Sequence, residues 1–343
     1  MMIVSNVFSA MAEILRHRNV KKIIVLLVMF QSAYATHVTA GDYSDRQDVN
    51  TFIDEMVEEH QFDRKDMEAW LSVAKKKQSI LDAISRPAEK RLTWKDYRKI
   101  FVTHSRIKKG VEFWRKNETV LTQAEAEFGV PAQVIVAIIG VETRYGQNKG
   151  SYRVIDALST LGFDYPPRSK FFRKELKEFF LLAREQKQNP LDLIGSYAGA
   201  MGYGQFIPSS YRAYAVDYTN DDFADIWNNP TDAIGSVANY FKRHGWKTGA
   251  PVIVRTRIAN NYNKDIINDS LRPKHTVASL LEQGYTPIQA LDEQVANVIR
   301  LQGVNGAEFW MGLHNYYVIT RYNHSRLYAM AVCQLSQEIA QQK

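Results

Sequence analysis

Two stretches of this chain carry residues that could do chemistry, Val134–Gly146 (VIVAIIGVETRYG) and Ser196–Ser209 (SYAGAMGYGQFIPS). The first is an apolar run with a single acid, Glu142, close to its C-terminal end. The second is glycine-rich and aromatic, with Gln205 near its centre, a backbone able to press closely on a ligand. An acid beside an aromatic, amide-bearing cleft suits glycoside chemistry. The glycosidic oxygen must be protonated as it leaves, while flat faces and amides hold the sugar rings.

The element that positions Glu142 reads as a buried helix. Pro131 suits its first position, with the turn-forming Gly129 two residues earlier. Val134, Ile135, Ile138, Ile139 and Val141 make the segment apolar almost all round. Tyr145-Gly146 is expected to end it, with Gly146 in the C-cap role. Glu142 then lies in the last turn, at the negative end of the helix dipole, with Ile138 and Ile139 limiting its hydration. Both effects raise a carboxyl pKa, as a general acid near neutral pH requires.

Four motifs occur in order: E-T-R-Y-G at 142–146, G-A-M-G-Y-G-Q-F at 199–206, S-V-A-N-Y-F at 236–241 and R-Y-N at 321–323. Together they resemble the membrane-bound lytic murein transglycosylase B family, with its goose-type-lysozyme-like core, over roughly residues 48–340. The resemblance implies cleavage of the β-1,4 bond between N-acetylmuramic acid and N-acetylglucosamine without water. The muramic C6 hydroxyl attacks instead and leaves a 1,6-anhydro end. It also implies one Glu, at the position of Glu142, serving as acid and then base. Ordinary glycosidases need a second carboxylate about 5–9.5 Å away. Asp156 and Asp164, the nearest acids before Gln205, read as cap or loop residues. A hydrolytic muramidase of the same fold and a non-catalytic peptidoglycan-binding or scaffold protein stand as alternatives.

The same resemblance implies that Ser196, Met201 and Gln205 line the cleft near the acid, completed by Tyr240, Tyr322, Asn323 and Tyr328. Arg168 takes the place of a basic residue near the peptide stem. Ser, Gln and Asn can bond hydroxyl and acetamido groups, tyrosine offers a face with a polar tip, and arginine can grip a carboxylate with two bonds. No cofactor is required. A structural Ca²⁺ is the one ion to weigh: Asp217, Thr219, Asp221 and Asp225 take positions 1, 3, 5 and 9 of an EF-hand-like loop. Position 6 is Asp222 rather than Gly and position 12 is Asn228 rather than Glu, with Asp232 available as a later ligand. A solvated acidic loop is the competing reading.

The 343 residues carry a net charge of +7, with 45% hydrophobic and 12% aromatic residues, enough for two or three packed sub-domains. Residues 1–35 read as a cleaved export signal. Arg16, Arg18, Lys21 and Lys22 form a basic region, Ile23–Phe30 an apolar one, and Ala33-Tyr34-Ala35 an A-x-A site. Eight apolar residues are too few to span a bilayer. Beyond the signal, 40 basic residues against 36 acidic ones leave +4, which favours an acidic polymer such as the cell wall. The only cysteine is Cys333, so neither a lipid-bearing cysteine after the signal nor an internal disulfide is expected. The expectation is a monomer in the periplasm, acting on peptidoglycan glycan strands beside cell-wall synthesis or division proteins.

The fold expected is mainly α with a small β insertion. A linker at 36–47 and a helical domain at 48–128 precede a lysozyme-like core at 129–246 and 316–343, interrupted by a β-containing insertion at 247–315. Asp63, Thr93 and Thr276 read as N-caps, and Pro251–Ile258, Val295–Leu301 and Ala307–Leu313 as strands. Other chemistries lack their signatures. Gly199–Gly204 is not set in a βαβ unit, Ser196 has no G-x-S-x-G elbow, and no H-E-x-x-H is present. Nor does any nucleic-acid-binding motif accompany the positive charge.

Overall fold

A computed structural model of the chain describes residues 41–85, 92–291 and 295–343. The export signal expected at 1–35 lies outside the described residues, as do positions 36–40 of the expected linker. From Gly41 onward the chain is already tied down, which corrects that linker. Tyr43 is buried and donates to Asp164 Oδ2 at 2.9 Å, and Arg46 pairs with Asp164 at 3.1 Å.

Three helices come first, α1 (Gln47–His60), α2 (Arg64–Ser72) and α3 (Gln78–Ile84), then α4 (Trp94–Phe101), α5 (His104–Lys116), α6 (Glu118–Phe128) and α7 (Ala132–Thr143). A short pair of strands, β1 (Tyr152–Arg153) and β2 (Ile194–Gly195), brackets α8 (Val154–Asp164) and α9 (Ser169–Glu185). Next come α10 (Pro208–Tyr214), α11 (Pro230–Arg243) and β3 (Ile253–Ile258), followed by β4 (His275–Thr276), α12 (Val277–Glu282) and β5 (Tyr285–Pro287). The hairpin of β6 (Val295–Gly303) and β7 (Gly306–Gly312) leads into α13 (His314–Tyr322) and α14 (Arg326–Gln342). The five-stranded sheet runs β4-β6-β7-β3-β5, with every pair antiparallel.

The apolar side chains gather into three cores. One joins α4–α7 to α11, α13 and α14. The second joins α1–α3 to α8–α10 and the loop carrying Met201 and Phe206. The third fills the β region around Val254, Val298 and Met311. Residues 48–128, read from the sequence as one flanking domain, divide between the first two.

Several local signals act as the sequence implies. Asp63 caps α2 through Lys65 N at 2.8 Å, and Thr276 caps α12 through Ser279 N at 3.1 Å. Thr93 stands at the N-cap of α4 but bonds the Asp96 carboxylate at 2.6 Å instead of a backbone N–H. Asp156 and Asp164 are neither caps nor loop residues. Asp156 is buried in the first turn of α8, paired with Arg153 at 2.7 Å and accepting from Lys75 N, while Asp164 closes α8 against Tyr43 and Arg46. Both pin the N-terminal helices.

α7 is the central element. Six of its 12 residues are β-branched valines and isoleucines, each costing a few tenths of a kcal/mol in helix propensity. Burial of such a side chain gives roughly 1.5–3 kcal/mol, so the tertiary setting decides the helix. Ten of the 12 residues are buried, all but Gln133 and Glu142. Its ends differ from the sequence reading. Pro131 is the N-cap and not the first helical residue, and the C-cap is Arg144, which enters the left-handed region at φ 51°. Tyr145 (φ 63°) and Gly146 (φ 84°) continue that turn. Tyr145 can do so because its ring lies against Gly110 of α5 and Gly140 of α7, with its hydroxyl donating to Arg106 O at 2.8 Å.

A Cβ at Gly140 would lie 2.6 Å from Tyr145 Oη, 2.7 Å from its Cζ and 2.8 Å from its Cε1. Gly140→Ala is therefore expected to destabilise the protein by about 1–3 kcal/mol through overpacking, despite alanine's better helix propensity. Denaturant unfolding of both proteins checks this. Equal or greater stability in the variant would show that Tyr145 is not wedged there.

Candidate active site

Glu142 emerges half-buried at the end of α7, where the chain turns sharply. Thr143, fully buried, fastens this turn: its hydroxyl lies 2.9 Å from Tyr203 O and accepts from Gly146 N at 2.9 Å. The turn after Glu142 is thus joined directly to the glycine-rich loop. Tyr203 N in turn donates to Ile226 O at 2.9 Å.

That loop is held by its own bonds. Met201 and Phe206 exchange backbone hydrogen bonds at 2.8 and 3.0 Å, closing the turn between them. Gln205 sits in the left-handed region (φ 51°), a conformation that costs a non-glycine residue of order 1–3 kcal/mol. It is held there by its Nε2, which donates to Gly202 O at 3.0 Å and Lys149 O at 3.2 Å. The Ser196 hydroxyl accepts from Ala200 N at 3.1 Å and Ala198 N at 3.3 Å, so it shapes the loop from within. Met201 is fully buried in the second core. That corrects its expected place on the cleft wall: an unbranched thioether under a glycine turn fills the gap below it.

Tyrosines close the other side. Tyr328, from the first turn of α14, donates to Glu142 Oε1 at 2.6 Å. Tyr322, at the end of α13, donates to Gly204 O at 2.5 Å. Burial raises both phenols well above their ordinary range, and the nearby Glu142 charge adds to it, so both stay protonated donors. Tyr240 of α11 bonds Arg321 O at 2.6 Å and packs its ring 4.7 Å from that of Tyr322. Its other neighbour is His244, stacked at 4.0 Å, whose imidazole burial pushes down. Asn323 is the extended residue that follows α13, its carbonyl accepting from Ser325 N at 2.7 Å.

The structure therefore gathers Glu142, Tyr328, Tyr322, Tyr240 and the Gln205 loop. Arg168 is exposed in a short turn before α9, its guanidinium over the rings of Phe171 and Phe172 at 4.4 and 5.1 Å. Two residues that the sequence reading passed over belong to the site. Thr143 joins helix to loop, and Lys149 supplies the carbonyl that fixes Gln205 while its ammonium reaches Trp227 O and lies 4.9 Å from the Tyr203 ring centre. Lys149 carries no sequence signal, because its partners lie 50 and more residues away.

The acidic loop forms a second constellation. Carboxylate oxygens of Asp217, Asp221 and Asp232 lie within 4.8 Å of one another. Thr219 Oγ1 is 3.0 Å from Asp232, 3.3 Å from Asp221 and 3.5 Å from Asp217. These hard oxygen donors fit a calcium ion. Asp232 is buried, which raises its pKa, while the Tyr218, Thr219 and Asp225 amides that it accepts oppose the shift. Asp225 stands outside the cluster, a correction to the expected ligand set. Its Oδ1 is engaged by Trp227 N at 3.0 Å and Asn228 N at 2.9 Å, in the turn before α11.

Residues 44–337 match the transglycosylase SLT domain family. The chain is 45% identical over 310 residues to membrane-bound lytic murein transglycosylase B of Escherichia coli K12, covering 88% of this chain and 84% of that protein. The catenated lytic transglycosylase SltB1 of Pseudomonas aeruginosa superposes with a TM-score of 0.85 at 53% identity, over 88% of this chain and 99% of that one. The Escherichia coli lytic transglycosylase Slt35 in complex with calcium gives 0.82 at 45% identity, over 88% and 96%. Matched over residues 44–337 and 45% identical to lytic murein transglycosylase B over most of its length, this protein belongs to the transglycosylase SLT domain family.

Proposed function

We propose that Glu142 is the single acid and base of a lytic transglycosylase that cleaves the β-1,4 bond between N-acetylmuramic acid and N-acetylglucosamine in peptidoglycan. The observation that carries this is the 2.6 Å hydrogen bond from Tyr328 to Glu142 Oε1, at the end of a helix buried on almost every side. With Oε1 accepting from a phenol, the transferable proton belongs on Oε2. Glu142 gives that proton to the glycosidic oxygen as its bond to C1 breaks. The resulting carboxylate is stabilised by the Tyr328 donor and takes the proton of the muramic C6 hydroxyl as O6 closes on C1. The ring ends as a 1,6-anhydro sugar, Glu142 is protonated again, and no water is consumed. The Gln205 loop and the Tyr240–Tyr322 pair supply amide and aromatic surface for the rings.

Glu142→Gln is expected to fold and bind glycan normally, because the amide is nearly isosteric, and to lose at least about 10²–10⁴-fold in rate. Wild-type products from purified sacculi should end in 1,6-anhydromuramic acid by mass spectrometry. Reducing ends would show that water attacks, as in a muramidase. A fully active Glu142→Gln protein would place the acid elsewhere.

Calcium is proposed as a structural ion held by Asp217, Asp221 and Asp232 with Thr219, supported by their convergence and by the calcium complex of Slt35. The ion would supply charge neutralisation to three crowded carboxylates. A ligand of the native state at 100 times its Kd adds about 2.7 kcal/mol. Millimolar calcium should then raise the melting temperature of wild type and leave that of Asp221→Ala unchanged. An unresponsive wild type would leave a solvated acidic loop.

Residues 1–35 are proposed to be removed on export, giving a periplasmic protein that begins at Thr36; their basic, apolar and A-x-A order supports this. N-terminal sequencing of the periplasmic fraction tests it, and an intact Met1 in the membrane pellet would refute it.

A further inference from the structure

α7 has two residues that escape burial, and they lie at opposite ends. Glu142 opens on the cleft. Gln133, nine residues earlier and so about 14 Å away along the axis, opens on a different groove. This groove has a volume of about 520 Å³, within the roughly 300–1,000 Å³ range of small-molecule sites. It lies where the start of α7, the last turns of α14 and the strand entry around Pro251 meet.

Its chemistry differs from the rest of the surface. In a chain with 24% charged residues, no residue lining it is charged. Four glutamines, Gln133, Gln289, Gln337 and Gln341, stand around an apolar floor that includes Trp246 and Ile319. None of the four side-chain amides hydrogen-bonds to another described residue, so each offers a donor and an acceptor outward. A phosphate or an acidic peptide would find no arginine or lysine here, and a purely apolar ligand would strip water from unpaired amides. An uncharged pyranose has one apolar face and a rim of hydroxyls, and an acetamido group adds an amide that pairs with glutamine.

We propose that this groove is a second, non-catalytic glycan site that takes an N-acetylhexosamine unit of the strand. The proposal rests on the peptidoglycan reading above. A polymer held here keeps further bonds of the same sacculus near Glu142, raising their effective concentration without touching the chemistry.

The test uses the full mature Glu142→Gln protein, labelled with ¹⁵N, and two uncharged probes. These are chitotetraose, with an acetamido group on each ring, and cellotetraose, with none. Chitotetraose at millimolar concentration should move the side-chain amides of Gln133 and Gln337 and the Trp246 indole N–H. Cellotetraose should not. The Gln133→Ala, Gln337→Ala double variant should lose the groove response yet keep that of Gln205. With Glu142 intact, it should bind sacculi at least about threefold more weakly, in line with a lost second contact. Silence at Gln133 and Gln337 overturns the proposal, as does an equal response to cellotetraose. A groove that responds while Gln205 stays silent supports the proposal and counts against the cleft assignment instead.

Discussion

The carboxylate of Glu142 is useful only if it is held still, and the hydrogen bond from Tyr328 does so across 186 positions of sequence. A short O–H···O bond to a carboxylate fixes the oxygen that accepts it. A displacement of about 1 Å at a reacting group can cost a hundredfold in rate, so both partners need rigid seats. α7 and α14 provide them. They pack in one core, with Ile135, Ile138 and Ile139 on one side and Ala329, Val332 and Leu335 on the other, all fully buried. Any slip of either helix would have to open that packing.

The cleft is the seam between two cores. α7, α13 and α14 belong to the first, while Met201, Phe206 and Tyr240 belong to the second. Tyr322 packs against both, stacked on Phe241 at 5.8 Å and tilted against Phe206 at 5.9 Å, with its hydroxyl on Gly204 O. The left-handed residues Arg144, Tyr145 and Gln205 all lie along this seam. Each would be strained in a free peptide. They persist here because tertiary hydrogen bonds from Tyr145, Thr143 and Gln205 fix the turns on either side.

What could be read from the sequence follows from range. α7, its acid, the three longer strands and the caps at Asp63 and Thr276 rest on neighbours within a few residues, and period and composition report those. β4 and β5, of two and three residues, exist only because β6 and β3 offer edges to pair with. Their own residues carry no alternation. The role of Asp164 depends on partners 88 and more positions away, and that of Asp156 on Lys75 N, 81 positions away, as well as on the nearby Arg153. The same holds inside the site: Glu142 and Gln205 stand out through local motifs, whereas the burial of Met201 is a property of the folded packing.

The acidic loop reaches the cleft through a series of hydrogen bonds. Asp232 Oδ2 accepts from Asp225 N and so fixes the start of the segment 225–227. Ile226 O then receives Tyr203 N, and Trp227 O receives the Lys149 ammonium. Lys149 O holds Gln205. Trp227 also bonds Ile194 O through its indole at 2.9 Å, which ties the same segment to β2. The Asp232 carboxylate thus belongs to the frame of the site: it holds the start of the 225–227 segment, and that segment holds the glycine-rich loop.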